Sequence, residues 1–491
     1  MNMHKLALTS IMLAFTATAA APQKTPSTGL LEQGIYAEET IGDLNQAIAI
    51  YSKIVNDEKA RRPEVAQALF RLAVCHLNLG QKGKANQMFH QLINDYPEQT
   101  ALTAEARKLV TQDRIDLAPI PWRSGEVAFY DIKRSGAGKM GAIAFSAAET
   151  LADGVPAVKL SSYTSLLIAG QTDYADTYVT KEDFISLRGT SINSTLGQNR
   201  IDYKKGGLHV ASVVKGKKSS NDIKINQPYY TDLQLHSLVR RLPLNTGHRT
   251  DFTLFIQNST LALNARLEIK DPQKVSVPAG EFDCYRVEIK AYEQSKLTLE
   301  MTYWVSTKTD RQVVKALNAS ATYELTAVAN RNDQALAFQK ESLRMSLTAP
   351  QGWVPLEIDP LQPGHDLWLS LIPEGGDTFV LLAATQKVKA ANDDKNAGRV
   401  KRVVDGDIKA LSTALPDFAL RLDTRHDLAV SGASAQRFIA DFESDGKPMV
   451  EYRTYILAPS GLFWFTFRTE RALFDEKRAG YDDIVNSMTF N

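Results

Sequence analysis

The amino-acid sequence predicts a multidomain protein in which all-α helical hairpins precede an antiparallel β-sheet domain, with an α+β domain at the end. Apolar residues recur with helical spacing from about residue 30 to residue 112. From about residue 125 to residue 329 they alternate with polar residues, which is the pattern of half-buried strands. Beyond a break at residues 330–334, strand and helix patterns are mixed. The length of 491 residues, at roughly 150 residues per domain, also favours three domains.

Composition and charge exclude several classes of function. The chain is 44% hydrophobic and 23% charged, close to globular averages, so each third can bury a core. A formal net charge of +1 gives no global field that would attract nucleic acid or an anionic membrane, so we expect no nucleic-acid partner. The two cysteines, Cys75 and Cys284, have neither metal-ligand nor redox spacing, and we expect two buried thiols.

The first residues have the pattern of a secretory signal peptide. Lys5 supplies a positive start, residues 6–16 form an apolar run, and three alanines at residues 19–21 offer a cleavage site. We therefore expect residues 1–21 to be a signal peptide and the mature chain to begin near Pro22, without a transmembrane anchor. No cysteine lies near the cleavage site, so we expect no lipid anchor and a periplasmic or secreted protein. The alternative is a buried N-terminal helix.

An internal repeat organises the helical third. A shift of 38 residues aligns Gly42 with Gly80, Ala47 with Ala85, Tyr51 with Phe89, and Ile54 with Leu92. A fixed period of this size is typical of stacked helical hairpins.

The second copy of the repeat resembles the tetratricopeptide (TPR) pattern. The residues that carry the resemblance are Leu69, Leu72, Ala73, Gly80, Ala85, Phe89 and Pro97. His76 stands where the family has an aromatic residue, and the first copy departs more, with Gly34 at a packing site. The resemblance implies a TPR module over residues 28–115 that binds a protein or peptide partner on its concave face. That face would carry Gln67, Phe70, Val74 and Asn78.

The alternative for the module is internal packing. Two repeats and a capping helix near residues 102–110 would then only pack against the next domain, since repeat stacks generally need three or more units.

The middle third follows a linker at residues 116–123, which contains Pro119 and Pro121. Three segments alternate strictly, and their apolar positions are Leu263, Ala265, Leu267, Ile269, Val287, Ile289, Leu297, Leu299, Met301 and Tyr303. We expect antiparallel strands separated by turns, for example at Gly206-Gly207 and at Asp271-Pro272.

Four short stretches of this third resemble a bacterial periplasmic family of unknown function whose fold is like the lipoprotein carriers LolA and LolB. They are Gly125-Glu126, Val277–Phe282, Tyr303–Ser306 and Arg311–Val314. The resemblance implies a curved, half-barrel-like antiparallel sheet over residues 122–331, with a concave apolar face that can hold a lipid or another apolar small molecule. The face would carry Leu263, Leu267, Ile269, Leu297, Leu299, Met301 and Tyr303.

An apolar face must be covered, because water contact costs about 25 cal/mol per Å². Either a ligand or the domain's own helices can cover it. Residues 232–241, with Leu233, Leu235, Leu238 and Val239, are the predicted internal cover. We expect an apolar cavity between this segment and the sheet, with no charged group deep inside.

The last third, residues 338–491, resembles the PsbP-like α+β domain. The marks are Pro350–Trp353, Ala435–Phe438, Leu462–Phe465 and Ile484–Phe490. Helical spacing at Val400, Val404, Ile408, Leu411 and Leu415 precedes four strands, and a final helix carries Phe474, Tyr481, Ile484, Val485 and Met488. The resemblance implies an accessory, non-enzymatic role, and no shared site carries over.

No motif supports catalysis, and we expect no enzyme activity, no cofactor and no metal. Residues 136–141 match G-x-G-x-x-G, but the next apolar strand ends in serines rather than an acid, so we interpret them as a hairpin turn. The sequence contains neither H-E-x-x-H nor G-x-S-x-G.

The sequence therefore favours an exported, non-catalytic adaptor that binds a partner through its TPR module and an apolar ligand through its β domain. The alternatives are an envelope enzyme of hydrolase type with a dispersed site and a purely structural envelope protein. An enzyme predicts a cleft with converging residues of shifted pKa, an adaptor predicts an apolar groove, and a structural protein predicts neither.

Overall fold

The computed structural model describes residues 26–491, except 80, 110–114, 116, 135–137, 167–170, 194–196, 205, 215, 226–228, 258–260, 294–295, 320, 360–363, 377, 392–394, 445 and 491. The predicted signal peptide, the first two positions of the glycine motif and Gly80 lie outside these residues. The chain forms two compact units, one up to residue 113 and one from residue 114 on. Within the described residues, no helix is both long and apolar enough to cross a membrane.

The first unit is entirely helical. Its helices are α1 (Pro26–Ile35), which continues as a π-helical turn (Tyr36–Ile41), α2 (Leu44–Val55), α3 (Arg62–Asn78), α4 (Lys82–Asp95) and α5 (Thr100–Leu109). Each helix packs against the next along the chain, as helical hairpins do. The repeat positions are fully buried in both copies: Ala47, Tyr51, Ile54, Ala85, Phe89 and Leu92. Gly34 is explained by Tyr51, because a Cβ atom at Gly34 would lie 2.4 Å from that ring.

The second unit begins with one large sheet. Its strands are β1 (Glu126–Arg134), β2 (Gly138–Ala152), β3 (Val155–Leu166), β4 (Thr172–Thr180), β5 (Ser186–Asn193), β6 (Gly197–Lys204), β7 (Gly207–Val214), β8 (Lys217–Lys224) and β9 (Tyr229–Thr231). Helix α6 (Asp232–Leu238) and a 3₁₀ turn (Val239–Arg241) follow. The remaining strands are β10 (Arg249–Ile256), β11 (Leu261–Val277), β12 (Gly280–Glu293), β13 (Lys296–Ser306), β14 (Val313–Asn318) and β15 (Ala321–Asn330).

The strands pair mostly in chain order as an antiparallel meander. The exceptions are that β1 pairs with β15, that β8 and β9 lie at opposite edges of the sheet, and that the short β9 runs parallel to β10. The predicted hairpin at the glycine motif is confirmed, since Arg134 of β1 pairs with Gly138 of β2. The predicted turn at Asp271-Pro272 is wrong, because β11 continues through it with a bulge. A bulge is one of the few places where a sheet tolerates proline, which has no N–H to give to the ladder.

The sheet curves strongly around α6. The helix contacts β3 and β4 on one side and β9 and β10 on the other. Along the sheet, β3 and β10 are eight strand spacings apart, about 38 Å if the sheet were flat. A helix about 10 Å wide can touch both only if the sheet bends around it. The predicted curved sheet and its internal cover are therefore confirmed, with Leu235, Leu238 and Val239 fully buried.

The rest of the second unit has mixed helices and strands. They are β16 (Ala337–Lys340), a 3₁₀ turn (Glu341–Leu343), β17 (Met345–Thr348), β18 (Trp353–Ile358), β19 (Leu367–Pro373), β20 (Phe379–Thr385), α7 (Asn396–Ala414), β21 (Ala419–Val430), β22 (Ala433–Ser444), β23 (Lys447–Ala458), β24 (Gly461–Glu470), α8 (Phe474–Asn486) and β25 (Thr489–Phe490). Seven of the strands form a second sheet in the order β18-β19-β20-β24-β23-β22-β21, and β16, β17 and β25 form a small third sheet.

Helices cover both faces of the seven-stranded sheet. Tyr481, Ile484 and Val485 of α8 are fully buried against one face, and Val400 and Val404 of α7 are buried against the other. Both predicted helices are thus confirmed, although Leu415 and Met488 lie just beyond their C-terminal ends. The core on the α8 side also contains residues of the first sheet: Val127, Ala142, Ala144, Tyr163 and Tyr174. The domain limits of 122–331 and 338–491 stay a prediction, because the two parts share this core.

Candidate functional site

Helix α6 is held in the concave face of the first sheet by hydrogen bonds that its own sequence supplies. The side chain of Gln234 accepts the backbone N–H of Thr231 at 2.6 Å, as the third residue of a capping box does. The same amide donates to the carbonyl oxygen of Phe184 at 2.9 Å. The short helix is therefore fixed at its first turn to the connection between β4 and β5.

A cavity of about 250 Å³ lies between α6 and the sheet. Its walls include aromatic side chains of the sheet, Met301 of β13 and the side of α6 that faces the sheet: Tyr130, Phe145, Tyr303, Tyr323, Met301, Asp232, Leu233 and His236. An engineered cavity of about 150 Å³ is large enough to bind benzene. The space beneath α6 can therefore hold a molecule larger than a single benzene ring.

His236 forms one end of the cavity and is neutral. Tyr130 donates its single hydroxyl hydrogen to the carbonyl of Val313 at 2.7 Å, so His236 must donate its Nε2–H to the tyrosine oxygen at 2.9 Å. The imidazole also stacks on Phe145, with ring centroids 4.0 Å apart. Burial lowers the pKa of His236 well below its usual range, and the positive charge of Arg240 lowers it further.

Two carboxyl groups line the cavity, so the expectation of no charged group inside it is wrong. Burial raises the pKa of Asp232 to about 6, although its Oδ1 accepts the backbone N–H groups of Leu233 at 3.1 Å and Gln257 at 3.3 Å. Burial also raises the pKa of Asp173, against hydrogen bonds from the Gln171 amide. The helix explains Asp232, because an acidic residue in the first turn satisfies backbone N–H groups there.

The buried carboxyl of Asp232 makes stability depend on pH. Its pKa is raised to about 6 in the folded protein and is about 3.9 when unfolded. The folded state therefore binds more protons between these values, and its stability falls as pH rises through them. Asp232→Asn keeps the acceptor and does not titrate. We expect its gain in unfolding free energy over the wild type to grow by about 2 kcal/mol between about pH 4.5 and pH 8.

Urea unfolding followed by tryptophan fluorescence measures this difference. All five tryptophans lie in the second unit, so the signal reports that unit alone. Asp271→Asn, at an exposed position of β11, is the matched control and should show no such pH dependence. If Asp232→Asn changed the unfolding free energy equally at both pH values, the raised pKa of Asp232 in the folded protein would be contradicted.

Only two of the seven predicted ligand-binding residues line the cavity. Met301 and Tyr303 line the cavity. Leu263, Leu267 and Ile269 are buried in the core that packs against α6, but they do not line the cavity. Leu299 is half-buried and Leu297 is 45% exposed. Met301 and Tyr303 thus lie on the covered face of β13, and the strand extends beyond the covered part of the sheet. Ligand binding at this face stays a prediction.

The predicted partner face of the first unit lies on α3. Gln67, Phe70 and Val74 are half-buried and Asn78 is exposed. The Phe70 ring lies 5.8 Å from that of Phe89 on α4, so part of this face packs within the unit. Binding of a partner there stays a prediction.

Sequence reasoning missed the ion pair that fixes the end of α6. Arg240 is 2% exposed and donates to the carboxylate of Glu126 at 2.6 Å. It also donates to the carbonyls of Asp310 at 2.7 Å and Arg311 at 3.0 Å. The signal in the sequence was a doublet of arginines directly after an apolar helix, which by itself is typical of an exposed helix end.

Comparisons with known proteins agree with the three resemblances, the first two through family models. Residues 67–98 match the tetratricopeptide repeat, and residues 140–326 match a family described as a protein of unknown function (DUF3108). No curated protein matches the chain.

Several solved structures are similar to parts of the chain. A β-barrel-like protein of the domain of unknown function DUF1849 from Brucella abortus is 10% identical, covers 44% of this chain and 99% of its own, and has a TM-score of 0.31. The cyanobacterial PsbP protein (CyanoP) from Synechocystis sp. PCC 6803 is 13% identical over 32% of this chain and 92% of its own, with a TM-score of 0.26. LpqN of Mycobacterium tuberculosis, described as involved in cell envelope biogenesis, is 12% identical over 32% of this chain and 85% of its own, with a TM-score of 0.20.

Proposed function

We propose that the chain is an exported, non-catalytic binding protein that holds a small apolar or amphipathic molecule beneath α6. The observation that carries the proposal is the cavity of about 250 Å³ between that helix and the concave sheet, whose walls combine Phe, Tyr and aliphatic side chains with polar ones. Ligand pockets of proteins are typically concave and apolar, with a few fixed polar groups. The signal-like pattern of residues 1–21 supports export, and the tetratricopeptide match supports a protein partner for the first unit.

The size of the cavity limits the ligand. Sites for drug-sized molecules are typically about 300–1,000 Å³, and this cavity is slightly below that range. It fits one compact aromatic molecule of two or three rings, or one short chain. A lipid with several acyl chains would require α6 to move away from the sheet.

A hydrolase-type enzyme is the second candidate, because Asp232, Asp173 and His236 combine shifted pKa values with a shared cavity. Such convergence is found at catalytic sites. The hydrogen bonds favour binding instead. The Nε2–H of His236 is committed to Tyr130, and one oxygen of Asp232 already accepts two backbone N–H groups. In each case burial is the largest cause of the shift.

A neutral fluorescent probe tests the binding function. We expect N-phenyl-1-naphthylamine to bind the full-length protein saturably, and Met301→Trp to reduce its affinity at least about tenfold because the larger ring fills the cavity. Met301 is 2% exposed and lines the cavity, which makes it the most direct position to fill.

Val328→Trp is the matched control, since Val328 is 46% exposed on β15 of the same sheet. It should leave probe affinity unchanged. Wild-type protein that fails to bind the probe, or Met301→Trp protein that folds and binds it normally, would contradict the proposal.

A further inference from the structure

A second and larger cavity, of about 760 Å³, lies between α7 and the seven-stranded sheet. The sheet side is formed by β19, β20, β24 and β23, and the helix side by Val403, Gly406, Asp407 and Ala410. This is the face opposite to the one that α8 covers. The cavity lies within the second unit and shares no lining residue with the space beneath α6.

Small residues keep this cavity open. Gly406 is in the middle of α7, where glycine costs up to about 1 kcal/mol relative to alanine. A Cβ atom built at Gly406 would have no neighbouring atom within 4 Å, so close packing does not require the glycine. Opposite the helix, the strand register places Ala383 between Trp368 and Trp464. Both walls therefore recede where larger side chains would fill the space.

One end of the cavity is aromatic. Trp368 and Trp464 are half-buried, and the His365 ring lies 6.0 Å from the first and 5.1 Å from the second. Phe379 and Leu381 continue this wall along β20. Indole rings left partly uncovered on the floor of a pocket offer a flat apolar surface to a ring or chain.

At the other end of the cavity, two arginine side chains form ion pairs with one buried glutamate. Glu451 is fully buried and accepts the Nε–H groups of Arg453 at 2.5 Å and Arg468 at 2.7 Å. Both arginines line the cavity, and Asp407 binds one Nη of Arg453. In the part of the chain that the structure describes, both Nη groups of Arg468 and the second Nη of Arg453 have no acceptor. The acid thus orients the guanidinium groups and leaves donors toward the cavity.

We propose that this cavity binds a fatty-acid-like monocarboxylate. The carboxylate would accept from the free Nη groups of Arg453 and Arg468, in the charge-assisted geometry that arginine favours for carboxylates. The apolar body would lie on Trp368 and Trp464. Glu451 and Asp407 balance the charges of the two arginines, so the free Nη donors, and not a net positive charge, distinguish this site from the cavity beneath α6, which Asp173 and Asp232 line.

The test uses the full-length protein and the fluorescent fatty acid 11-(dansylamino)undecanoic acid. We expect saturable binding of one equivalent, displaced by dodecanoate but not by dodecanol at the same concentration. Gly406→Leu should lower the affinity at least tenfold, because Gly406 lines the cavity and a Cβ atom there meets no other atom within 4 Å, so the leucine side chain occupies ligand space. Gly398→Leu, at an exposed position of the same helix, should leave the affinity unchanged.

Arg468→Met tests the anionic end separately. We expect it to abolish the preference for dodecanoate over dodecanol, while Arg468→Lys retains part of that preference. Gly406→Leu protein should still bind the neutral naphthylamine probe, so failure of one cavity is distinguishable from failure of the other.

Four results would overturn the proposal. Three are absence of fatty-acid binding by the wild type, binding that Met301→Trp abolishes and Gly406→Leu does not, and equal displacement by dodecanol and dodecanoate. The fourth is displacement of the fluorescent fatty acid by an oligosaccharide such as maltotriose but not by dodecanoate, which would identify the ligand class as carbohydrate instead of monocarboxylate.

Discussion

Replacing Arg240 by methionine is expected to destabilise the second unit by about 3–5 kcal/mol, the range for removing one partner of a buried ion pair. The guanidinium is 2% exposed, and its hydrogen bonds to Glu126 and to the carbonyls of Asp310 and Arg311 join α6 to β1 and to the turn before β14. Methionine retains the apolar stem of the arginine but not the guanidinium, whose carbon lies 5.0 Å from the Trp122 ring. It leaves a carboxylate and two carbonyls without their donor.

A double-mutant cycle separates the ion pair from the packing. Glu126→Gln removes the charge that Arg240→Met leaves behind, so the double variant should be more stable than Arg240→Met alone by at least about 1 kcal/mol. Urea unfolding followed by tryptophan fluorescence measures all three variants. An unchanged midpoint for Arg240→Met would show that this pair is as weak as an exposed one.

The helix, strand and turn patterns predicted more of the fold than of the sites. Alternation at Leu263, Leu267 and Ile269 placed β11 correctly, because one face of an antiparallel sheet is buried along its whole covered length. It could not show that β13 extends beyond the core, which leaves Leu297 exposed. Whether a face is covered depends on what lies across from it, and periodicity within one strand does not contain that information.

The polar part of both cavities was not predictable from spacing along the chain. Asp407, Arg453 and Arg468 meet only because α7 packs on β22 and β23 and because the register of β23 with β24 places the two arginines on one face. Glycine in the middle of α7, at Gly406, was the one local signal, since glycine is a poor choice inside a helix. Asp232 was placed by sequence within the predicted cover, but its burial follows from the curvature of the sheet.

Glu451→Gln is expected to cost about 3–5 kcal/mol of unfolding free energy, because it removes the negative charge that two arginine side chains share in a buried position. The carboxylate is 0% exposed, and each of its oxygens accepts one guanidinium N–H, from Arg453 and from Arg468. Glutamine retains the size but presents an amide NH₂ toward one of the arginines, so a donor faces a donor. Asp407 still binds Arg453, which keeps the cost within this range.

Glu470→Gln is the matched control, because Glu470 lies on β24 of the same sheet and pairs with Lys447 at the surface, where both side chains are more than 40% exposed. Exposed pairs contribute at most about 1 kcal/mol and are screened by salt. In about 1 M sodium chloride the effect of Glu470→Gln should vanish, whereas that of Glu451→Gln should persist, since salt does not reach a buried pair. Equal losses for the two variants, or a loss at Glu451 that salt removes, would mean that solvent enters beneath the arginines and that the acid does not orient them.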